Sequence, residues 1–126
     1  MMKYLSAEDV VEMHAVLLER YGGEEGGGHR GTEYEGAEAA VQAVRNSYYE
    51  TVEELAAAYA VYIVQGHVFM DGNKRTGHAA MCTFLEHNES ELSLPDAVKV
   101  MLELQTRAER GERTDMLIRW IASQLV

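Results

Sequence analysis

The segment Leu55–Val64 is apolar nearly all round, which leaves a chain few ways to fold. Just ahead of it, Thr51-Val52-Glu53-Glu54 has the form of a capping box, so a helix is predicted from about Val52 to Gln65. A helix with no polar face has no side to give to solvent and must lie at the centre, with other elements around it. A second predicted helix, from about Asn73 to His87, carries Ala79, Ala80, Cys82, Thr83 and Phe84, and Asn88 can stop it. It too is apolar on several faces. The two form a central hairpin, and the polar stretch between them is held by elements that must be buried.

The remaining segments wrap this hairpin. Ser6 with Asp9 three residues on starts a first helix, with Val10, Met13 or His14, Leu17 and Tyr21 at helical spacing before Gly22-Gly23 ends it. His14 lies on that apolar stripe and reads as a satisfied core histidine. Ala37, Ala40, Val41, Val44 and Tyr48 give a second helix from about Ala37 to Tyr49. Ser93-Leu94-Pro95-Asp96 is a helix start with proline just inside, and Val98, Met101, Leu102 and Gln105 carry that helix to about Arg110, where Gly111 breaks it. A last helix, about Thr114 to Gln124, presents Met116, Leu117, Trp120, Ile121 and Leu125 on one stripe. The expectation is a compact all-α bundle of about six helices in a single domain, residues 1–126. Between Gly22 and Gly36 glycine recurs among glutamates, so this stretch is either a solvated loop or a flap over the site; His29 and Arg30 are its notable polar residues.

Composition narrows the partners. A formal net charge of −10 argues against a protein that works on nucleic acid or an anionic membrane surface, both of which require a basic footprint. No run is long enough to span a bilayer, the first residues lack the pattern of a signal peptide, and Cys82 is a lone thiol in an apolar helical context, a core residue and not a nucleophile. A cytoplasmic location is expected.

The polar connection reads His67-Val68-Phe69-Met70-Asp71-Gly72-Asn73-Lys74-Arg75-Thr76-Gly77. Gly72-Asn73 tolerates left-handed backbone angles and lets successive N–H groups converge on one concavity. A helix starting at Asn73 or Lys74 adds its free N–H groups and dipole, and Lys74 and Arg75 add positive charge, so the natural guest is a phosphate. Asp71 beside it is the hard oxygen donor that Mg²⁺ takes together with phosphate oxygens. His67, whose ordinary pKa is near neutrality, is the candidate general base, and Phe69 plugs into the core. The three histidines His67, His78 and His87 have no spacing that favours convergence on one ion.

This stretch resembles the signature of the Fic/Doc (filamentation and death-on-curing) family, His-x-Phe-x-Asp/Glu-Gly-Asn-Gly/Lys-Arg, at every specified position. Lys74, where Fic enzymes usually carry glycine, is similar to the Doc branch. Weaker resemblance extends over Leu55 to Ala60, Phe84-Leu85, Tyr21-Gly22-Gly23 and Gly28-His29-Arg30. Val68 replaces a proline frequent after the motif histidine, and His78 stands where many Fic nucleotidyl transferases have a second arginine.

The resemblance implies a helical fold with the active-site loop between two central helices, and a small ATP- and Mg²⁺-dependent transferase that modifies a hydroxyl on a protein. It implies a Doc-like toxin of a toxin–antitoxin pair moving phosphate from ATP to a cytoplasmic protein, with a translation factor as the candidate target. Alternatives are nucleotide transfer of the Fic type (AMPylation) and an inactive anion-binding module. The implied roles are His67 as base, Asp71 as Mg²⁺ ligand, Gly72 and Lys74 in the anion nest, and Asn73 and Arg75 on phosphates. The family's inhibitory Ser/Thr-x-x-x-Glu-Gly/Asn stretch does not occur in the sequence, which points to restraint by a separate small antitoxin.

Overall fold

The computed structural model describes residues 1–22 and 30–126 and places six α-helices and no strand among them: α1 (Ala7–Tyr21), α2 (Arg30–Arg45), α3 (Val52–Gln65), α4 (Asn73–His87), α5 (Ala97–Glu109) and α6 (Thr114–Gln124). The all-α architecture expected from the sequence is the one found. No helix among the described residues is long and apolar enough to cross a membrane.

The all-round apolar helix is α3, and it packs against α2, α4, α5 and α6. Leu55 to Val61, Ile63 and Val64 are all buried. Its alanines let α4 come close: a Cβ on Gly77 would lie 3.2 Å from the Ala60 carbonyl oxygen and 3.4 Å from the Ala60 Cα. Tyr59, fully buried, stacks obliquely on Phe84 of α4 at 5.2 Å, and its hydroxyl oxygen accepts the Leu5 amide at 2.9 Å. Burial pushes the Tyr59 hydroxyl up to about 12.

Helix ends follow local chemistry where that chemistry is complete. Ser6 Oγ accepts the Asp9 amide at 3.1 Å and Asp9 Oδ2 accepts the Ser6 amide at 2.8 Å, the reciprocal capping box. Thr51 Oγ1 accepts the Glu54 amide at 3.2 Å. At the other end of α4, Asn88 donates to Phe84 O and exchanges two hydrogen bonds with the Lys3 backbone, tying the N-terminal segment to the hairpin. Ser93 and Val126 exchange two backbone hydrogen bonds that clamp the C-terminus.

Several expectations need correction. Helix α2 begins at Arg30, not Ala37, so residues 30–36 of the stretch expected as a loop or flap are helical; Gly36 lies inside the helix, where a Cβ would sit 3.4 Å from Val68 Cγ1. It ends at Arg45: the Ser47 amide and hydroxyl both turn back to Val44 O, so Tyr48 leaves the stripe and is exposed while Tyr49 is buried. Pro95 lies in the turn before α5, and Asp96 enters the helix from a left-handed conformation (φ 54°), since the Ser93 backbone is engaged with Val126. The buried face of α5 is Val100, Met101 and Leu104, with Val98 and Leu102 outside. On α6 the buried residues are Leu117, Ile118 and Ile121; Met116 is exposed, and Trp120 is half-buried beneath the Arg107 guanidinium at 4.1 Å. His29 lies outside the described residues.

Candidate active site

Between α3 and α4 the chain turns through His67 to Gly72. His67 has φ 45°, a left-handed conformation that costs a residue with a Cβ about 1–2 kcal/mol. Its side chain is exposed at the hinge while the next two residues turn inward: Val68 is 7% and Phe69 3% exposed. Phe69 thus plugs the loop into the core, as its apolar character among polar neighbours suggested. Strain in a non-glycine residue held on both sides by packed structure is typical of functional loops.

Two side chains lock the turn. Asn73, the first residue of α4, accepts the Phe69 amide on Oδ1 at 3.0 Å and donates from Nδ2 to the Phe69 carbonyl at 2.6 Å. His14 of α1 is 3% exposed and lies flat on the Phe69 ring, with centroids 3.8 Å apart and an interplanar angle of 5°. Its Nε2 is 2.9 Å from the Asp71 carbonyl oxygen. A carbonyl only accepts, so that nitrogen carries the proton. Its Nδ1 faces the Glu33 carboxylate of α2 at 3.8 Å. The core-histidine reading holds, and the residue also joins α1, α2 and the loop, which sequence spacing does not reveal.

Gly72 supplies the backbone angle that α4 needs to start here, φ 83°, which a side chain would strain; a Cβ there would only reach ordinary contact with the His14 ring at 3.5 Å. Its amide donates to Asp71 Oδ1 at 2.7 Å and its carbonyl accepts the Thr76 amide. The first turn of α4 therefore presents the amides of Asn73, Lys74 and Arg75, with no side-chain cap and no acidic residue among them. This is the arrangement that receives an anion.

These amides open onto a cleft of about 470 Å³ lined by His67, Asp71, Gly72, Asn73 and Lys74. The opposite wall comes from α5, through Gln105 and Glu109. Lys74 Nζ donates to Gln105 Oε1 at 2.6 Å, and Gln105 Nε2 donates to Glu109 Oε1 at 3.1 Å. Sequence reasoning missed both α5 residues, since nothing near Gln105 signals a contact with a loop 31 residues away. Arg75 is not in this wall: its guanidinium lies over the Tyr21 ring at 4.8 Å, toward the C-terminal end of α1.

Farther along α4, His78 Nε2 and Cys82 Sγ are 3.3 Å apart. Burial pushes the imidazole down, so it stays neutral, and burial followed by the nearby Glu86 carboxylate pushes the thiol up. A thiol held protonated is a packing residue, in keeping with the reading of Cys82 from its context.

An α-helical hairpin whose connecting loop carries an exposed histidine, a carboxylate and an uncapped, cationic helix start defines a class of protein. The Fic/DOC family model matches residues 4–85, and the chain belongs to that family. Within it, the chain is similar to the protein kinase doc of Escherichia phage P1, with 36% identity over 91 residues, covering 69% of each chain.

Proposed function

We propose that the protein is a Doc-like toxin that transfers the γ-phosphate of ATP to a hydroxyl group on another protein. The observation that carries this reading is the cleft, which an exposed imidazole shares with the uncapped start of α4 and Lys74. The donor set fits a nucleotide: three helix amides and an ammonium suit phosphate oxygens, and Asp71, on the surface of the same cleft, suits Mg²⁺ that completes its shell with phosphates and water. Bound there, Mg²⁺ would neutralise charge on the phosphates.

The chain's own residues supply the rest. The amides of Asn73 and Lys74 and the Lys74 ammonium seat the phosphates, and Arg75 joins them from the outer side of the helix start by leaving Tyr21. His67, neutral, accepts the proton of the acceptor hydroxyl as its oxygen forms a bond to the γ-phosphorus and the bond to the ADP oxygen breaks. The products are a phosphorylated protein, ADP and a protonated His67, which returns its proton to solvent. Lys74 favours this chemistry over nucleotide transfer, because a lysine at the nest adds bulk and charge where glycine leaves room for the α- and β-phosphates. An enzyme that modifies its own cell's proteins needs restraint, and a small partner protein, disordered in part and folding over the cleft, fits that need.

The test is intact-mass analysis of cytoplasmic target proteins, translation factors first, incubated with the protein, ATP and Mg²⁺. Addition of one phosphate is expected; addition of a nucleotide would assign the chain to AMPylation, and an unchanged mass on every target would leave the anion-binding module.

A further inference from the structure

Lysine is a poor fixed point. Its ammonium sits on a four-carbon stem that loses considerable rotamer entropy when ordered. At the start of α4, however, Lys74 Nζ is 2.6 Å from Gln105 Oε1, and Gln105 Nε2 is 3.1 Å from Glu109 Oε1. The order of donors and acceptors fixes the direction of this chain. An ammonium only donates and a carboxylate only accepts, so the carboxamide has one workable orientation, oxygen toward Lys74 and nitrogen toward Glu109. Flipping it would face donor to donor and acceptor to acceptor. Gln105 and Glu109, one turn apart on α5, thus act as a bracket against which a flexible cation is held.

From this geometry we infer that Gln105 is a positioning residue: it holds the Lys74 ammonium in the cleft in advance, aimed at the phosphate that the α4 amides receive. This rests on the phosphate-transfer reading of the same cleft and adds an element to it. Helix α5 lies beyond residues 4–85, the part that the family model matches, so the bracket belongs to a part of the chain outside that match. One of the three ammonium hydrogens is directed at Gln105, leaving two for phosphate oxygens. Glu109 contributes at one remove: its carboxylate, in the same cleft wall, fixes the amide.

Two measurements on the full chain test this. In the nucleotide-free protein, the Lys74 Cε–Hε and ammonium signals in heteronuclear NMR should report a fixed side chain. They should collapse to the positions of a freely rotating lysine in Gln105→Leu and stay resolved in Gln105→Glu, which keeps an oxygen acceptor. In the same proteins, Gln105→Leu should weaken binding of ATP with Mg²⁺ by roughly 10-fold, of the order of one charged hydrogen bond. The weakening should vanish when Gln105→Leu is made in a Lys74→Met background, since the residue acts through Lys74. Lys74 signals that do not respond to Gln105→Leu would overturn the inference while leaving the proposed reaction untouched. Unchanged ATP affinity in Gln105→Leu, or an equal loss in the Lys74→Met background, would overturn it as well. Wild-type protein that transfers no phosphate but shows both Gln105 effects would instead refute the reaction and retain the bracket.

Discussion

Asn73 is where loop architecture and the proposed phosphate binding make different demands on one side chain, so its substitution separates them. Its carboxamide makes two hydrogen bonds to the Phe69 peptide, at 3.0 and 2.6 Å, both partly buried. Each has a net value of about 0.5–1.5 kcal/mol, so Asn73→Ala should cost about 2 kcal/mol and lower Tm by roughly 5–10 °C in a domain of this size. Because Phe69 sits two residues from His67, a loosened peptide also displaces the proposed base, and a shift of about 1 Å can reduce a rate on the order of 100-fold. Asn73→Asp keeps the acceptor for the Phe69 amide but sets an acceptor-only carboxylate oxygen against the Phe69 carbonyl, so it should recover less than half of the stability. Thermal unfolding and hydrogen exchange at the Phe69 amide read both effects. An Asn73→Ala protein with unchanged Tm, a protected Phe69 amide and a raised KM for ATP would refute this, because the carboxamide would then work on the phosphate and not on the loop.

His67→Ala should leave Tm and ATP binding near wild type while cutting transfer by roughly 10²- to 10⁴-fold; activity within a few-fold of wild type would remove the general-base role. Gly77→Ala should destabilise by about 1 kcal/mol net, since its new methyl would meet backbone atoms of Ala60 at 3.2 and 3.4 Å and the resulting strain exceeds the gain in helix propensity; a rise in Tm would show slack between α3 and α4. His78 is held below its ordinary value by burial, so its neutral form is the folded one and the unfolded chain binds more protons. Its contribution is fully present above about pH 6.5 and lost as pH falls toward its lowered value, so His78→Gln should flatten the pH dependence of stability there, and parallel curves would contradict that.

The central hairpin was legible because its signals are local and agree with one another: an all-round apolar helix, a Thr cap, and a glycine before Asn73. Both predicted helices match α3 and α4 from end to end. The cleft was legible only on its motif side. What the sequence does not display is recognition across the fold. Gly36 looks like a loop residue and proves to be the gap in a helix that admits Val68. Val98 and Leu102 look like core and stand outside, because α5 turns Val100, Met101 and Leu104 inward and gives Gln105 to the cleft. Asn73 has the composition of a phosphate contact, and its hydrogen bonds to Phe69 appear only once the turn closes.

The most direct measurement compares ATP labelled at the α- and γ-positions in transfer to the target, with wild type and Lys74→Gly. The account predicts label on the target from γ-labelled ATP alone with the wild type, and a reduced yield when the lysine is removed. Label arriving from α-labelled ATP with the wild-type protein would contradict it and establish nucleotide transfer instead.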